Sequence, residues 1–194
     1  MNTLTMKDFY GKHLEYIETA RNTAILLASM AVNSSFVHES KIVSRIKTPE
    51  SMSKKILQDG LPVNYDSILK KESDAIGIRV ITDTLIHVYD IVNRLKQMSE
   101  DNMNFKIIKI KDFIKKPKES GYRSIHIIIS MKSKDPEFPE LKAEIQIRTS
   151  IMDCWASLEH LMKYKQTIEI TPELHEMLEV YAEAAEKEIK SLQA

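Results

Sequence analysis

Between Ala143 and Thr149 a carboxylate, an amide and a guanidinium recur at every second position: Glu144, Gln146 and Arg148, with Ile145 and Ile147 between them. In a strand, that period turns the three polar groups to one face and the isoleucines to the other. A carboxylate on such a face can take a proton or hold a hard cation, and a guanidinium beside it can hold phosphate. A solvated sheet face has the same pattern. The chemistry therefore depends on which other groups are brought to this one.

Four other stretches carry candidates. Residues 41–47 alternate as a strand with Val43, Arg45 and Lys47 on one face, and Thr48-Pro49-Glu50 follows as a helix start. Thr suits the N-cap, Pro the first helical position and Glu the first turn. Two cations running into a helix N-terminus that also carries Ser51, Lys54 and Lys55 could cradle phosphate. Solvated surface lysines explain that patch equally well. Residues 74–81 read as an apolar strand with Asp74 at its entrance and Arg79 inside. A buried arginine needs a partner or a polar cleft, so either a structural Asp–Arg pair or a ligand site fits, and Gly77 implies close approach of another group.

The most basic stretch holds Lys109, Lys111, Lys115, Lys116 and Lys118, with Pro117 and Gly121 keeping part of it in a loop. Such lysines can converge on an anion or simply be solvated. Directly after it, Tyr122, Ser124 and His126 share one face of a strand over 122–131, with Ile125, Ile127 and Ile129 on the other. An aromatic and a histidine beside a basic loop suit stacking a base and gripping its phosphates, although both residues are common on sheet faces without a ligand.

The elements that must position these groups follow from periodicity. Residues 3–33 predict one or two helices, with Leu14, Ile17, Ala24, Leu27, Ala28 and Met30 on the apolar side. A helix ends near Gly60, and Pro62 and Asn64 break residues 61–72 into a loop or short helix. Thr82-Asp83-Thr84 caps a helix to about Asp101 with Leu85, Val88, Ile91, Val92, Leu95 and Met98 toward the core. Residues 105–110 are a strand, and the turn at 132–141, with Pro136 and Pro139, predicts antiparallel pairing of its flanking strands. Ser150 and Asp153 resemble a capping box opening a helix to about Lys165. Thr171-Pro172-Glu173 starts a last helix whose apolar stripe, Leu174 to Leu192, would pack on the domain or on a partner chain. Five strands among helices predict an α/β (α+β) single domain with a mixed sheet.

With 194 residues, 43% hydrophobic and 29% charged, the chain has room for one domain with a sizeable core. Lys+Arg and Asp+Glu are both 28, which removes bulk attraction to nucleic acid or to an anionic membrane, so any polyanion must be met by a local patch. No apolar run is long enough to span a bilayer and no leader pattern opens the chain, so a cytoplasmic location is expected. The one cysteine, Cys154, excludes an internal disulfide and a cysteine-based metal site, and between Asp153 and Trp155 it is expected as a buried thiol.

Four runs taken together, RIKTPESMSKK, DAIGIRV, IKDFIKKPKESGYRSIHI and AEIQIRTSIMDCWASLEH, resemble the synthetase domain of RelA/SpoT-type alarmone synthetases over roughly residues 35–165. GYRSIH followed about twenty residues later by EIQIRT carries most of that specificity. The resemblance implies a nucleotidyltransferase-like fold and transfer of pyrophosphate from ATP to the 3′-hydroxyl of GDP or GTP, giving (p)ppGpp and AMP. Nothing resembles the family's hydrolase or regulatory domains, so the chain looks like a stand-alone small alarmone synthetase. It divides as an N-terminal helical segment (1–35), the synthetase domain (36–166) and a C-terminal helix (167–194). By matching positions, Arg45, Lys47, Ser51, Lys55 and Arg79 would bind ATP. Asp74 and Glu144 would hold Mg²⁺, with Glu144 also the general base. Tyr122 would stack on guanine, Lys111, Lys118 and His126 would meet the acceptor phosphates, and Gln146 and Arg148 would support that side. Ser120 stands where the family commonly has Asn before Gly-Tyr, which bears on guanine recognition. The resemblance also implies a homotetramer built through terminal helices, without membrane or nucleic acid beyond a possible RNA regulator. Transfer to adenosine nucleotides or to the 3′ end of tRNA, as in toxin-like relatives, and a silent nucleotide-binding or assembly module are the competing readings.

Overall fold

The structure is a computed structural model that describes residues 6–35, 40–64, 67, 75–101, 104–137 and 139–164, with positions 173, 176, 177, 180, 181, 183, 184, 187 and 191 beyond them. Asp74, most of 61–72 and much of the C-terminal stripe lie outside the described residues. The elements run α1 (Met6–Ser34), β1 (Ser40–Ile46), α2 (Pro49–Gln58), β2 (Ile76–Thr82), α3 (Leu85–Glu100), β3 (Phe105–Asp112), β4 (Ile125–Lys132), β5 (Glu140–Thr149) and α4 (Ser150–Tyr164).

The strands form one five-stranded sheet in the order β1-β2-β5-β4-β3. Only β2 and β5 pair in parallel; β1–β2, β5–β4 and β4–β3 are antiparallel. The chain is thus a single domain built on a mixed sheet, as expected. Its alternating strands give the sheet two unlike faces. Ile76, Ile78, Val80, Ile125, Ile127, Ile129, Ala143, Ile145 and Ile147 are buried in one core with stripes from α1 and α3 and with Met52 and Ile56 of α2. The six α3 residues assigned to the core by their spacing are all buried there.

Local signals set the helix starts. Thr48 accepts the N–H of Ser51 at 3.3 Å and Pro49 follows at the first position, so α2 begins as predicted. Thr84 likewise accepts the N–H of His87 at 3.4 Å to open α3. At α4 the capping differs from expectation. The N–H of Met152 donates to Thr149 Oγ1 at 3.4 Å, and Ser150 is the first helical residue. Asp153 does not reach back to a cap; it pairs with Arg148 and Arg79, two cations stronger than a backbone N–H as partners.

Three further expectations are corrected. Strand β4 begins at Ile125, three residues later than expected: Tyr122 and Ser124 lead in from a tight turn, and their carbonyls accept single backbone bonds from Lys118 and Phe113 ahead of the regular ladder. Leu14 is 43% exposed, and His13 takes the inward position on α1 because it has an ionic partner, Asp135, to meet there. Cys154 is exposed, since Met152, Trp155 and Ala156 occupy the inward face of α4.

Candidate active site

The second face of the sheet collects the polar groups, and register shows how. Arg45 pairs with Gly77 and Gly77 with Glu144, while Val43, Arg79, Gln146, His126 and Lys111 form the next row across all five strands. Residues two apart on a strand share a face, so Arg45, Arg79, Glu144, Gln146 and His126 all project to this side. Lys111 joins them through an irregularity in β3. The register slips between Ile107 and Lys109, leaving Ile108 as the extra residue of a bulge. That shift restores period two after the consecutive isoleucines at 107 and 108, and it puts Lys109 and Lys111 opposite Ile128 and His126.

Glu144 is held on both carboxylate oxygens. His126 Nδ1 lies 3.0 Å from Oε1, and Gln146 Nε2 donates to Oε2 at 2.8 Å. On its other side, His126 Nε2 is 2.8 Å from the Tyr122 hydroxyl. Tyr122 is only 8% exposed, enclosed by Phe113 and Trp155 with ring centroids 6.1 and 6.3 Å away. Lys118 Nζ stands over both Tyr122 and Phe113, at 4.7 and 4.9 Å from the ring centres, in cation–π range. Burial pushes the Tyr122 phenol up, with Arg148 the main opposing influence.

A turn sets this aromatic group in place. Gly121 donates its N–H to the Lys118 carbonyl at 2.8 Å and adopts φ of +81°, a conformation that costs other residues free energy. A side chain there would also meet the Trp155 indole at 3.4 Å.

A guanidinium pair forms the neighbouring part of the site. Arg148 is 2% exposed, and its Nη2 lies 2.5 Å from Asp153 Oδ1; Arg79 Nη1 is 3.3 Å from the same oxygen. Among the described residues, neither arginine's buried Nε has a hydrogen-bond partner. Burial and the nearby Arg148 charge lower the Arg79 pKa, while Asp153 raises it. Among the described residues the two guanidinium groups share one carboxylate, which leaves net positive charge suited to phosphate.

Lys47 directly follows β1 and Ser51 is in the first turn of α2, whereas Lys55 lies in the last turn of that helix, away from the β1–α2 junction. The Lys47 N–H donates to the Ala75 carbonyl at 2.8 Å, which places this junction against the entrance to β2. Asp74, expected at that entrance, lies outside the described residues. Sequence reasoning did not assign Asp153, Phe113 or Trp155 to the site. Asp153 was masked by its spacing from Ser150, and the two aromatics carry no mark that separates a pocket wall from core.

A family model for the region found in RelA / SpoT proteins matches residues 44–169. The chain belongs to the RelA/SpoT family. GTP pyrophosphokinase YwaC of Bacillus subtilis is 39% identical over 143 residues, which are 73% of this chain and 66% of that protein. GTP pyrophosphokinase YjbM of the same organism is 28% identical over 148 residues, 75% and 66% of the two chains. The match thus spans about 66% of the length of these relatives. Small alarmone synthetase 2 from Bacillus subtilis superposes with a TM-score of 0.73 at 32% identity, over 96% of this chain and 98% of that one. Small alarmone synthetase 1 of that organism, bound to its product pppGpp, gives 0.72 at 23% identity over 95% and 94%, a likeness of fold.

Proposed function

We propose that this chain is a pyrophosphokinase that moves the β,γ-pyrophosphate of ATP to the 3′-hydroxyl of GDP or GTP, giving (p)ppGpp and AMP. The observation that carries the reading is Glu144, held on one oxygen by His126 and on the other by Gln146, on a face shared with Arg45 and Arg79. A carboxylate so fixed is placed to accept the proton of an attacking hydroxyl. The hydroxyl oxygen bonds to the β-phosphorus, the bond from that phosphorus to the bridging oxygen breaks, and AMP leaves with the electron pair. Arg45, Lys47, Ser51, Lys55 and Arg79 bind the donor; the cations hold its phosphates and the charge that develops during transfer.

The acceptor belongs on the other side of Glu144, by Tyr122, Lys118, Lys111 and His126. Lys118 covers the Tyr122 ring in this structure. Its ammonium moves to the acceptor phosphates when GDP or GTP binds, and the same movement clears the ring for the guanine. Gln146 supports the acceptor side through Glu144, and Arg148 through Asp153.

The donor chemistry fits Mg²⁺. Among the described residues no group of three His, Cys, Asp or Glu side chains gathers, and an ion of this kind is commonly held by one or two carboxylates together with substrate phosphates. Glu144 and Asp74 would supply the protein oxygens, and the ion would neutralise charge at the transferred group. A cytoplasmic homotetramer is the assembly we infer from the family likeness; no described helix is long and apolar enough to cross a membrane.

The test is incubation with labelled ATP, Mg²⁺ and, separately, GDP, GTP, ADP or deacylated tRNA, with Glu144→Gln as control. Transfer to a guanine nucleotide that the variant loses is expected. Transfer only to ADP or tRNA would keep the chemistry and replace the acceptor. Absence of transfer with nucleotide binding intact would leave a binding or assembly module. Light scattering that gives a mass near the 22.4 kDa of one chain would overturn the tetramer.

A further inference from the structure

Tyr122, His126 and Glu144 are joined end to end, through 2.8 Å between the tyrosine oxygen and His126 Nε2 and 3.0 Å between His126 Nδ1 and Glu144 Oε1. The bonding capacities of the three groups are complementary in one direction of this chain. A carboxylate acting as a base accepts, which makes Nδ1 the donor to Glu144. Nε2 is then the acceptor, and the Tyr122 hydroxyl stands at hydrogen-bond distance from it as the donor. The geometry thus matches the Nδ1–H tautomer of the imidazole. Its ring angle is fixed as well: Tyr122 and Phe113 meet it edge to face at interplanar angles of 87° and 83°.

We propose that Tyr122 acts through its hydroxyl as a positioning residue for the base Glu144, by fixing the tautomer and angle of His126. The inference rests on the reading of Glu144 as the proton acceptor, and it gives Tyr122 a second task beyond the base-stacking role of its ring. The two tasks reside in different atoms. A base that stacks on the ring needs the aromatic face, while the chain to Glu144 needs only the oxygen.

Substitutions can therefore separate them. Tyr122→Phe retains the ring and removes the oxygen. It is expected to lower kcat by about 10–100-fold, the usual cost of losing a group that orients a functional histidine, with the acceptor KM within about twofold of wild type. His126→Asn removes the ring nitrogen that the Tyr122 hydroxyl meets and alters a group at the acceptor side, so it is expected both to lower kcat and to raise the acceptor KM. Adding Tyr122→Phe to His126→Asn should cost kcat nothing further, since the hydroxyl then has no imidazole to orient. Melting temperatures of all variants identify any that fail to fold.

Nitrogen-15 correlation spectra of the histidine ring read the tautomer without turnover. An Nδ1–H pattern in the wild type that is lost in Tyr122→Phe is expected. An Nε2–H pattern in the wild type would overturn the proposal, whether or not the protein transfers pyrophosphate. So would an unchanged kcat in Tyr122→Phe, or a loss confined to the acceptor KM. Failure of the wild type to use any acceptor, with the Nδ1–H tautomer intact, would count against the function and leave the hydrogen-bond chain standing.

Discussion

The Arg45 side chain lies over Gly77, its Cγ and Nε at 3.4 and 3.5 Å from where a Cβ would stand on that glycine. Gly77 is on the strand between those of Arg45 and Glu144 and pairs with both. The missing side chain lets the guanidinium stem run flat along the sheet. Alanine at this position would make an ordinary van der Waals contact, so Gly77→Ala should fold and keep its ATP KM within about twofold. Gly77→Val adds two methyl groups in the space of the Arg45 stem. It should raise the ATP KM about tenfold or more, the scale of one lost charge-assisted hydrogen bond to phosphate. Steady-state kinetics against ATP, with acceptor saturating, check both.

Asp153 compensates two arginines, and one of them, Arg148, is buried. Removing the carboxylate leaves that charge without its partner. Loss of one member of a buried pair costs about 3–5 kcal/mol, and the partial exposure of Asp153 puts Asp153→Asn near the lower end, about 3 kcal/mol in urea unfolding. The expected signature is non-additivity. Arg148→Met in the Asp153→Asn background should recover part of the loss, because it removes the orphaned charge while keeping much of the volume.

Much of this arrangement was legible from period two alone. Glu144, Gln146 and Arg148 fall on the face their spacing predicts, as do Ile125, Ile127 and Ile129 on the other. Strand order was not legible, because period two assigns a residue to a face but not to a neighbour. Pairing of Gly77 with both Arg45 and Glu144 depends on the β1-β2-β5 order, which no local pattern encodes. The β3 bulge left a trace in the consecutive isoleucines at 107 and 108, yet two apolar neighbours also occur in strands buried on both faces. Asp153 shows a different limit. Its spacing matched a capping motif, but the strong partners were distant in sequence, and they prevailed.

Tyr89 provides a pH-dependent test of the basic loop's anchorage. Its hydroxyl donates to Asp112 Oδ2 at 3.3 Å, while Asp112 Oδ1 accepts the N–H groups of Ile114 and Lys115. Burial, then the Asp112 charge and the bond to it, push the Tyr89 phenol from 10.0 up to about 12. The folded pKa is raised, so the fold favours the neutral form. Stability from this contact is complete below about pH 10 and is lost as pH rises through about 12. Denaturant midpoints of the wild type should fall more steeply over that window than those of Tyr89→Phe. Parallel curves would mean that the contact contributes nothing to stability.

His13 and Asp135 anchor α1 to the β4–β5 turn from inside the protein. His13 Nδ1 is 2.6 Å from Asp135 Oδ2, and both residues are 3% exposed. Asp135 Oδ1 also accepts the N–H of Glu137, and Lys12 pairs with Glu137 at the surface above. The pair is remote from Glu144 along the sheet, so its loss should affect stability and leave the chemistry alone. Asp135→Ala removes an acceptor from a buried imidazole and from a turn N–H together, and should cost about 2–4 kcal/mol. Glu137→Ala, at the exposed end of the same cluster, should cost under about 1 kcal/mol. Hydrogen exchange would localise the effect: faster exchange in the first turns of α1 and in the 133–137 turn, with kcat of the folded enzyme unchanged. A fall in kcat at temperatures where Asp135→Ala remains folded would show instead that α1 helps to set the active-site face of the sheet.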